Sequence, residues 1–241
     1  MYNDSVHITK EYVAELENLP EVAIFVKEVL SEQGCAHAMI SSIDIALEEV
    51  YVNIATYAYD NTLLQRRPQN AITFVDNHDS QPGQSLESFV NTWMKQVAYA
   101  LILLHKDGVP CLFYGDLYGI PCTRNIPIPR LRTLVRVRHD YAYGEQHDYI
   151  DDYDVIGWTR EGDKDHPDSG IAVVLSDKRD GCKRMYIGRQ FAGQCFRDCM
   201  RKVREVVTVD EEGYGVFPVQ GFSSAVWVTE KAYEYLVINE D

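Results

Sequence analysis

The period of the hydrophobic pattern changes near residue 153, and this change limits the folds that are open to the chain. Before that point, two short apolar runs at residues 71–75 and 111–114 flank a long apolar segment at residues 89–105. A further helical pattern follows at residues 129–138. Short runs that alternate with helices are typical of a parallel α/β barrel or a doubly wound sheet, and we expect both runs to be buried strands.

After residue 153 the chain consists of short alternating segments that are separated by turn residues: DVIGWTR, GIAVVLSD, KRMYIGR, REVVTVD, YGVFPV and SSAVWVT. This pattern predicts an antiparallel β-sandwich. Trp158 and Trp227 lie in these segments. We expect them in the core of the sandwich rather than on its surface as platforms for sugars.

The first sixty residues predict a short α+β piece. Asn18 and Glu21 have the spacing of a helix capping box, and Gly34 ends the helix that they begin. A second helix is predicted at residues 42–57, before a polar stretch that marks a boundary. The predicted fold class is therefore α/β plus all-β, with domains at residues 1–60, 61–152 and 153–241.

Charge and cysteine content limit the partners and the compartment. The 37 acidic and 23 basic residues give a formal charge of -14, which repels phosphate backbones and anionic lipids. Nucleic acid and membrane are therefore not expected as partners. The N-terminus lacks the pattern of a secretory signal, and the six cysteines have irregular spacings. We expect free thiols and a cytoplasmic protein.

Polar residues follow both predicted strands: Asp76, Asn77, His78 and Asp79 after the first, and Tyr114, Gly115 and Asp116 after the second. Barrel enzymes place their catalytic groups just past the C-terminal ends of the parallel strands. These residue types alone fit a metal site, a general acid/base pair or a capped turn. The basic residues Arg197, Arg201, Lys202 and Arg204 are expected to form a solvated face.

Five segments of the chain resemble the α-amylase family of glycoside hydrolases, in one order and at plausible spacings: AITFVDNHDSQPGQSLESFV, GVPCLFYGDLY, YAYGEQHDY, GWTREGD and KRMYIGRQFAG. Residues 61–241 look like the C-terminal half of a liquefying-type bacterial α-amylase. The resemblance implies the last two βα units of a (β/α) barrel, followed by the β-sandwich domain, and α-glucan as the partner.

The resemblance also implies roles for particular residues. Asp79 would stabilise the oxocarbenium-like transition state, and His78 would bind the same sugar ring. His147, Asp148 and Asp177 match positions that bind calcium in some liquefying amylases, and oxygen ligands suit that ion. The alternative is that Asp148 and Asp177 are solvated loop acids.

The catalytic apparatus is incomplete in this sequence. Retaining hydrolysis needs a carboxylate nucleophile and a second carboxylic acid roughly 5 Å apart, and no segment matches the family motifs that supply them. We therefore expect the chain to be inactive alone. Two βα units also cannot close an eight-stranded barrel, so open strand edges would favour self-association.

The N-terminal piece has a resemblance of its own. Residues 43–59, IDIALEEVYVNIATYAY, look like the helix of the anti-sigma-factor kinases in which Glu49 would activate water and Asn53 would hold magnesium. The adenine box and the Gly-rich lid of that ATPase fold do not follow, so Mg-ATP binding is not expected. A non-catalytic sugar-binding module and a nucleotide-binding regulator remain the alternative functions.

Overall fold

The computed structural model describes residues 10, 18–32, 34, 63–121 and 125–238. The chain divides into two compact units, Met1–Ala71 and Ile72–Asp241. The first unit contains α1 (Leu19–Glu32) and the short helix α2 (Leu63–Arg66). The predicted helix at residues 42–57, with Glu49 and Asn53, and the predicted boundary at residues 60/61 lie outside the described residues.

Helix α1 begins directly after Asn18 and ends before Gly34, so the predicted stop is confirmed, and the capping box stays a prediction. Glu21 lies in its first turn, and Val22 and Ala23 are buried. Gly34 follows the helix with φ +73°, a left-handed conformation that glycine adopts without steric cost, and its N–H donates to the carbonyl of Ser31 at 3.0 Å.

The second unit begins with a parallel pair of strands, β1 (Ile72–Phe74) and β2 (Val109–Cys111). Three helices accompany them: α3 (Thr92–Leu104), α4 (Tyr114–Tyr118) and α5 (Leu131–Asp140). The alternation of strand and helix is confirmed. The prediction that both strands are buried was wrong, because Ile72 is 70% exposed and Phe74 is 56% exposed. Among the described residues each of them pairs with one strand only, and the side chains of Ile72 and Phe74 lack the covering layer that buries the strands of a parallel sheet.

The rest of the unit is antiparallel. Its strands are β3 (Gln146–Tyr149), β4 (Val155–Arg160), β5 (Ile171–Ser176), β6 (Gly181–Tyr186), β7 (Cys195–Asp198), β8 (Val207–Thr208), β9 (Tyr214–Val219) and β10 (Ser223–Thr229). Among the described residues they form a six-stranded sheet in the order β3-β4-β5-β10-β7-β8 and a two-stranded sheet of β6 and β9. Helix α6 (Glu230–Ile238) ends the described chain.

The six-stranded sheet is covered on both faces. The two-stranded sheet packs on one face, around Phe217 and Trp227, which are both 0% exposed. Helices α3, α5 and α6 pack on the other face, around Trp158. The Trp158 indole donates to the carbonyl of Leu104, the last residue of α3, at 3.2 Å. Both tryptophans are core residues, as predicted, but they lie in two different cores.

The antiparallel sheet also extends past its predicted start. Strand β3 precedes residue 153 and pairs with β4, so helices and sheet in Ile72–Asp241 form one continuous unit. The predicted domain boundaries remain predictions. In the described part of the chain, no helix combines the length and the apolar character that crossing a membrane requires.

Candidate active-site loop and its neighbours

A buried polar network joins the ends of β1 and β2. Lys95 of α3 places its Nζ 2.5 Å from Asp76 Oδ2 and 2.6 Å from Asp116 Oδ1. The Tyr99 hydroxyl donates to Asp116 Oδ2 at 2.7 Å. The four side chains belong to three different segments, so the network fixes the strand ends relative to α3.

Burial decides the electrostatics of this network. The side chains of Lys95, Asp76 and Asp116 are 3%, 1% and 0% exposed. Burial raises the pKa of Asp76, although Lys95 and the Val90 N–H both favour its charged form. Burial opposes the charge of Lys95, but its hydrogen bonds to Asp116 and Asp76 outweigh this, and the pKa of Lys95 is raised. Burial and the neighbouring Asp116 raise the pKa of Tyr99 far above its usual range, so its hydroxyl stays protonated.

The sequence placed Asp76 and Asp116 at the strand ends but did not identify Lys95 or Tyr99. A signal for Lys95 was present, because it is the only cation in the apolar segment at residues 89–104. A lone lysine on a buried helix needs a paired anion. All three charged members of the network are closed to solvent, so it holds the strand ends and does not meet a ligand.

The predicted catalytic residues lie in the loop between β1 and α3, and they face solvent. The side chains of His78 and Asp79 are 82% and 62% exposed, with His78 Nε2 3.3 Å from Asp79 Oδ1. Asn77 Oδ1 accepts hydrogen bonds from the N–H groups of Asp79 at 2.9 Å and Ser80 at 3.0 Å. The loop is thus a capped turn that presents an imidazole and a carboxylate outward.

Several bonds hold this loop from within. The Gln81 side-chain amide donates to the His78 carbonyl at 3.1 Å, and the Ser88 N–H donates to the Ser80 carbonyl at 3.0 Å. The Val90 N–H donates to Asp76 Oδ1 at 3.1 Å. Asp76 therefore connects the loop to the buried network, and His78 and Asp79 sit on a backbone that is fixed at both ends. A carboxylate and an imidazole in this position can bond to hydroxyl groups of a ligand.

The three predicted calcium ligands are not brought together. His147 and Asp148 lie on β3, where Asp148 pairs with Trp158 of β4, and Trp158 pairs with Val173 of β5. Asp177 lies four residues beyond Val173, which is about 13 Å along the strand at ~3.3 Å per residue. Its N–H donates instead to the carbonyl of Asp154 at 3.3 Å.

Asp148 has polar neighbours of its own. The Gln146 side-chain amide donates to Asp148 Oδ1 at 2.8 Å, and His105 Nε2 lies 3.7 Å from the same oxygen. His105, more than Gln146, lowers the pKa of Asp148 against the effect of burial.

His147 contacts a different pair of acids. Its Nε2 lies 2.5 Å from Glu161 Oε1, and Glu145 is close by, with one ligand atom of each residue within 4.8 Å of the others. Glu145 and Glu161 lie in two of the segments that resemble α-amylases, but their proximity depends on the register of β3 and β4 and was not predicted from the sequence.

Comparison with known proteins gives sequence relatives that are longer than this chain. Over 173 residues it is 50% identical to an α-amylase of Geobacillus stearothermophilus, covering 71% of this chain and 31% of the relative. It is 47% identical over 174 residues to a glucan 1,4-alpha-maltohexaosidase of Bacillus sp. (strain 707), covering 71% and 33%. A cytoplasmic α-amylase of Escherichia coli (strain K12) is 37% identical over 187 residues, covering 73% and 37%.

The chain thus spans about a third of the length of these curated relatives. The match covers 71% of 241 residues and leaves less than a third of the chain unmatched. The unmatched part is too short to extend from the N-terminus past Asp79, so the match includes Asp79 wherever it begins. The α-amylase resemblance of the larger segment is confirmed, whereas the kinase resemblance of residues 1–60 stays a prediction. No protein-family model matches the chain. Among solved structures, an α-amylase from Malbranchea cinnamomea aligns with 78% of this chain and 42% of its own, at 15% identity and a TM-score of 0.48.

Proposed function

We propose that residues 61–241 are a segment of a retaining endo-acting α-1,4-glucan hydrolase of the liquefying α-amylase type, with α-glucan as its ligand. The observation that carries this proposal is the 50% identity over 173 residues, which includes the Asp79 loop. In this proposal Asp79 stabilises the oxocarbenium-like transition state, and His78 binds a hydroxyl of the same sugar. Their exposure at the end of β1 leaves both side chains free to meet a ligand.

We further propose that this chain is inactive alone. A retaining mechanism requires two more carboxyl groups, which act as nucleophile and as acid across the scissile bond. Neither is matched in the sequence, and Asp76 and Asp116 cannot replace them, because both are buried against Lys95. One exposed carboxylate cannot form the glycosyl intermediate and protonate the leaving oxygen at the same time.

A chimera tests the role of Asp79. The matching segment of the Geobacillus stearothermophilus α-amylase is replaced by that of this chain, and reducing-sugar release from soluble starch is measured. The chimera should be active, and Asp79→Asn should lower its rate by about 10²-fold or more, as loss of transition-state stabilisation does elsewhere. The exposed Asp165→Asn serves as the matched control. If the folded chimera releases reducing sugar at the same rate with and without Asp79→Asn, the proposed role of Asp79 is wrong.

Inactivity of the chain alone needs its own measurement. The purified chain should release no reducing sugar from starch under the conditions in which the chimera does. Starch hydrolysis that Asp79→Asn abolishes in the chain alone would overturn this part of the proposal.

The three predicted calcium ligands do not fit one ion. A calcium ion holds its oxygen ligands at 2.3–2.6 Å. Asp177 lies two strands away from Asp148 and His147 across the sheet, and four residues from Asp148 and five from His147 along it. These three residues therefore do not form the calcium site that the resemblance implies.

We propose that the exposed pair β1–β2 supports self-association through its open edges. Ile72→Lys should then shift the chain toward monomer in analytical ultracentrifugation. Val216→Lys is the matched control, because Val216 is a 52% exposed strand residue of the two-stranded antiparallel sheet. Equal effects of the two substitutions would argue against a role of this edge.

We also propose a cytoplasmic location. One relative is named a cytoplasmic α-amylase, and the cysteines of the described residues are not joined in disulfides: Cys111, Cys182, Cys195 and Cys199. Free thiols persist in reducing compartments. Cell fractionation of the source organism checks this, and recovery in the secreted fraction would contradict it.

A further inference from the structure

Glu145, His147 and Glu161 form a mixed cluster on one face of the β3–β4 hairpin, outside the His78–Asp79 loop. In the ladder Gln146 pairs with Arg160, and the next position outward sets Glu145 opposite Glu161. The Glu161 N–H donates to the Glu145 carbonyl at 2.9 Å, which fixes this pairing. Directly opposed residues of an antiparallel pair point to the same face, and His147, two residues along, shares that face.

The backbone around the cluster is tightly constrained. Gly144 and Gly162 have φ of +83° and +75°, and a Cβ at Gly144 would lie 2.1 Å from the Gly162 carbonyl oxygen. The Gly162 N–H donates to the Tyr143 carbonyl at 2.9 Å. The two backbone segments at Gly144 and Gly162 therefore approach more closely than side chains would allow. This contact places Glu145 and Glu161 side by side.

Neighbouring groups hold the His147 ring and the Glu161 backbone in place. The Tyr186 ring of β6 meets His147 edge to face, with ring centroids 5.4 Å apart. The Gln190 side-chain amide donates to the Glu161 carbonyl at 2.9 Å. The side chains of His147 and Glu161 are 30% and 23% exposed, and Glu145 is exposed, so the cluster is supported from within and open to ions from solvent.

Two carboxylates that face each other across a ladder repel, and this repulsion destabilises the hairpin unless a cation lies between them. His147 meets Glu161 at 2.5 Å. A protonated imidazole supplies one positive charge for two negative ones. A divalent ion supplies two, and it bonds to all three side chains.

We propose that Glu145, His147 and Glu161 bind a divalent transition-metal ion, with zinc as the best match. One imidazole nitrogen and two carboxylate oxygens are a ligand set that zinc accepts, with a fourth position left for water. Calcium and magnesium prefer oxygen ligands alone. Tetrahedral bonds of about 2.0–2.1 Å place ligand atoms ~3.3 Å apart. The His147–Glu161 contact must open to that spacing, and the exposed Glu145 side chain must close toward it.

This site does not depend on the proposed hydrolase. It would link β3 to β4 at the end of the sheet, and it would stabilise the fold even where no glucan binds. The test therefore uses the full chain, freed of metal with a chelator, and reads metal binding rather than starch hydrolysis.

Isothermal titration with zinc chloride should show one ion bound per chain. Glu145→Gln and His147→Gln should each weaken binding by at least tenfold, because even outer-shell partners of metal ligands contribute about 10–100-fold. The matched control is His166→Gln, since His166 also pairs with one carboxylate, Asp163, at 2.7 Å. That variant should bind zinc like the parent chain.

Cysteine thiolates are the competing ligands, and cobalt distinguishes them. Cobalt(II) in the proposed site should give visible d–d bands without the intense thiolate charge-transfer band that sulfur ligands produce. Circular dichroism of the metal-free variants verifies that each is folded. No zinc binding, binding unchanged by Glu145→Gln and His147→Gln, or a thiolate band would each overturn the proposal.

Discussion

In the parallel pair β1–β2, Ile72 is 70% exposed and Phe74 is 56% exposed, whereas every residue of β5 and β10 in the six-stranded sheet is buried. The parallel strands are three residues long, and in the described part of the chain no layer covers the face that carries Ile72 and Phe74. The antiparallel sheet has helices on one face and another sheet on the other. Apolar burial therefore stabilises the second region, and the first must be held in another way.

Each region also buries a carboxylate group, and the partners differ. Asp76 and Asp116 at the ends of the parallel strands share the charge of Lys95. Asp198 at the end of β7 instead accepts four backbone N–H bonds, from Met200, Lys202, Val203 and Val226, at 2.8–3.0 Å. The buried carboxylates of the parallel region thus depend on one cation from α3. The buried carboxylate of the antiparallel region instead accepts N–H bonds from the turn that follows β7 and from the neighbouring strand β10.

Two phenylalanines test the difference between the sheets most directly. Phe217 is 0% exposed and contacts the rings of Phe196 and Trp227. Phe217→Ala should lower the free energy of unfolding by about 3–5 kcal/mol, as buried aromatic truncations do. Phe74→Ala should change it by less than about 0.5 kcal/mol. Urea unfolding followed by circular dichroism measures both, and equal losses would contradict the contrast.

Removal of the buried cation should have the next largest effect. Lys95→Met leaves the buried carboxylates of Asp76 and Asp116 without the cation between them, and we expect the free energy of unfolding to fall by about 3 kcal/mol. The exposed Lys178→Met is the control.

The pH dependence of this loss has a definite sign. Without Lys95, burial and mutual repulsion hold the pKa of Asp76 in the folded state above its unfolded value. The protonated form is then favoured in the folded protein, so the variant recovers stability in acid and loses it as the pH rises. A loss that is independent of pH between about 4 and 8 would mean that the carboxylates do not carry it.

Tyr99→Phe tests the neutral partner in the same network. It removes the hydroxyl that donates to Asp116 at 2.7 Å and leaves that buried oxygen with one partner fewer. We expect a loss of about 1–2 kcal/mol in urea unfolding, which is the cost of an unsatisfied buried acceptor. Tyr153→Phe, at a fully exposed tyrosine, should have no effect. Equal stability of the two variants would show that the hydroxyl is dispensable.

Local pattern was enough to predict much of the fold. The helical signals of α1, α3 and α5 and the apolar runs of β4, β5, β9 and β10 lie within single segments. Burial alternates along β9, whereas β5 and β10 are buried throughout, because layers cover both faces of the six-stranded sheet. Strands β3 and β7 were missed, because QHDY and CFRD are short and polar and show no apolar alternation. They are strands because longer neighbours, β4 and β10, pair with them.

Contacts between distant residues could not be predicted from one sequence. Lys95 and Asp116 are 21 residues apart in the chain and meet through the packing of α3 on the strand ends. The register of β3, β4 and β5 sets Asp177 beside Asp154, and His147 beside Glu161, rather than the grouping that the resemblance implied. A shift of register by a few residues changes which side chains meet while it leaves the strand pattern unchanged.

Substitution of Asp148 gives the smallest expected effect, which is a change in how the free energy of unfolding depends on pH. His105 and Gln146 lower its pKa in the folded state below the ordinary value of about 3.9. The carboxylate therefore contributes stability above that pH, and the contribution is lost as the pH falls through the folded pKa. Because the side chain is 45% exposed, solvent screening limits the contribution to less than about 1 kcal/mol.

Asp148→Asn should consequently flatten the pH dependence of unfolding between about pH 2 and pH 5, where an aspartate of lowered pKa titrates. Asp177→Asn, at an exposed acid of the same sheet, should leave that dependence unchanged. Urea midpoints across this range compare the two variants with the parent chain. If Asp148→Asn keeps the parent's slope, then Asp148 acts as a solvated acid on β3, and its contacts with Gln146 and His105 contribute nothing to the stability of the sheet edge.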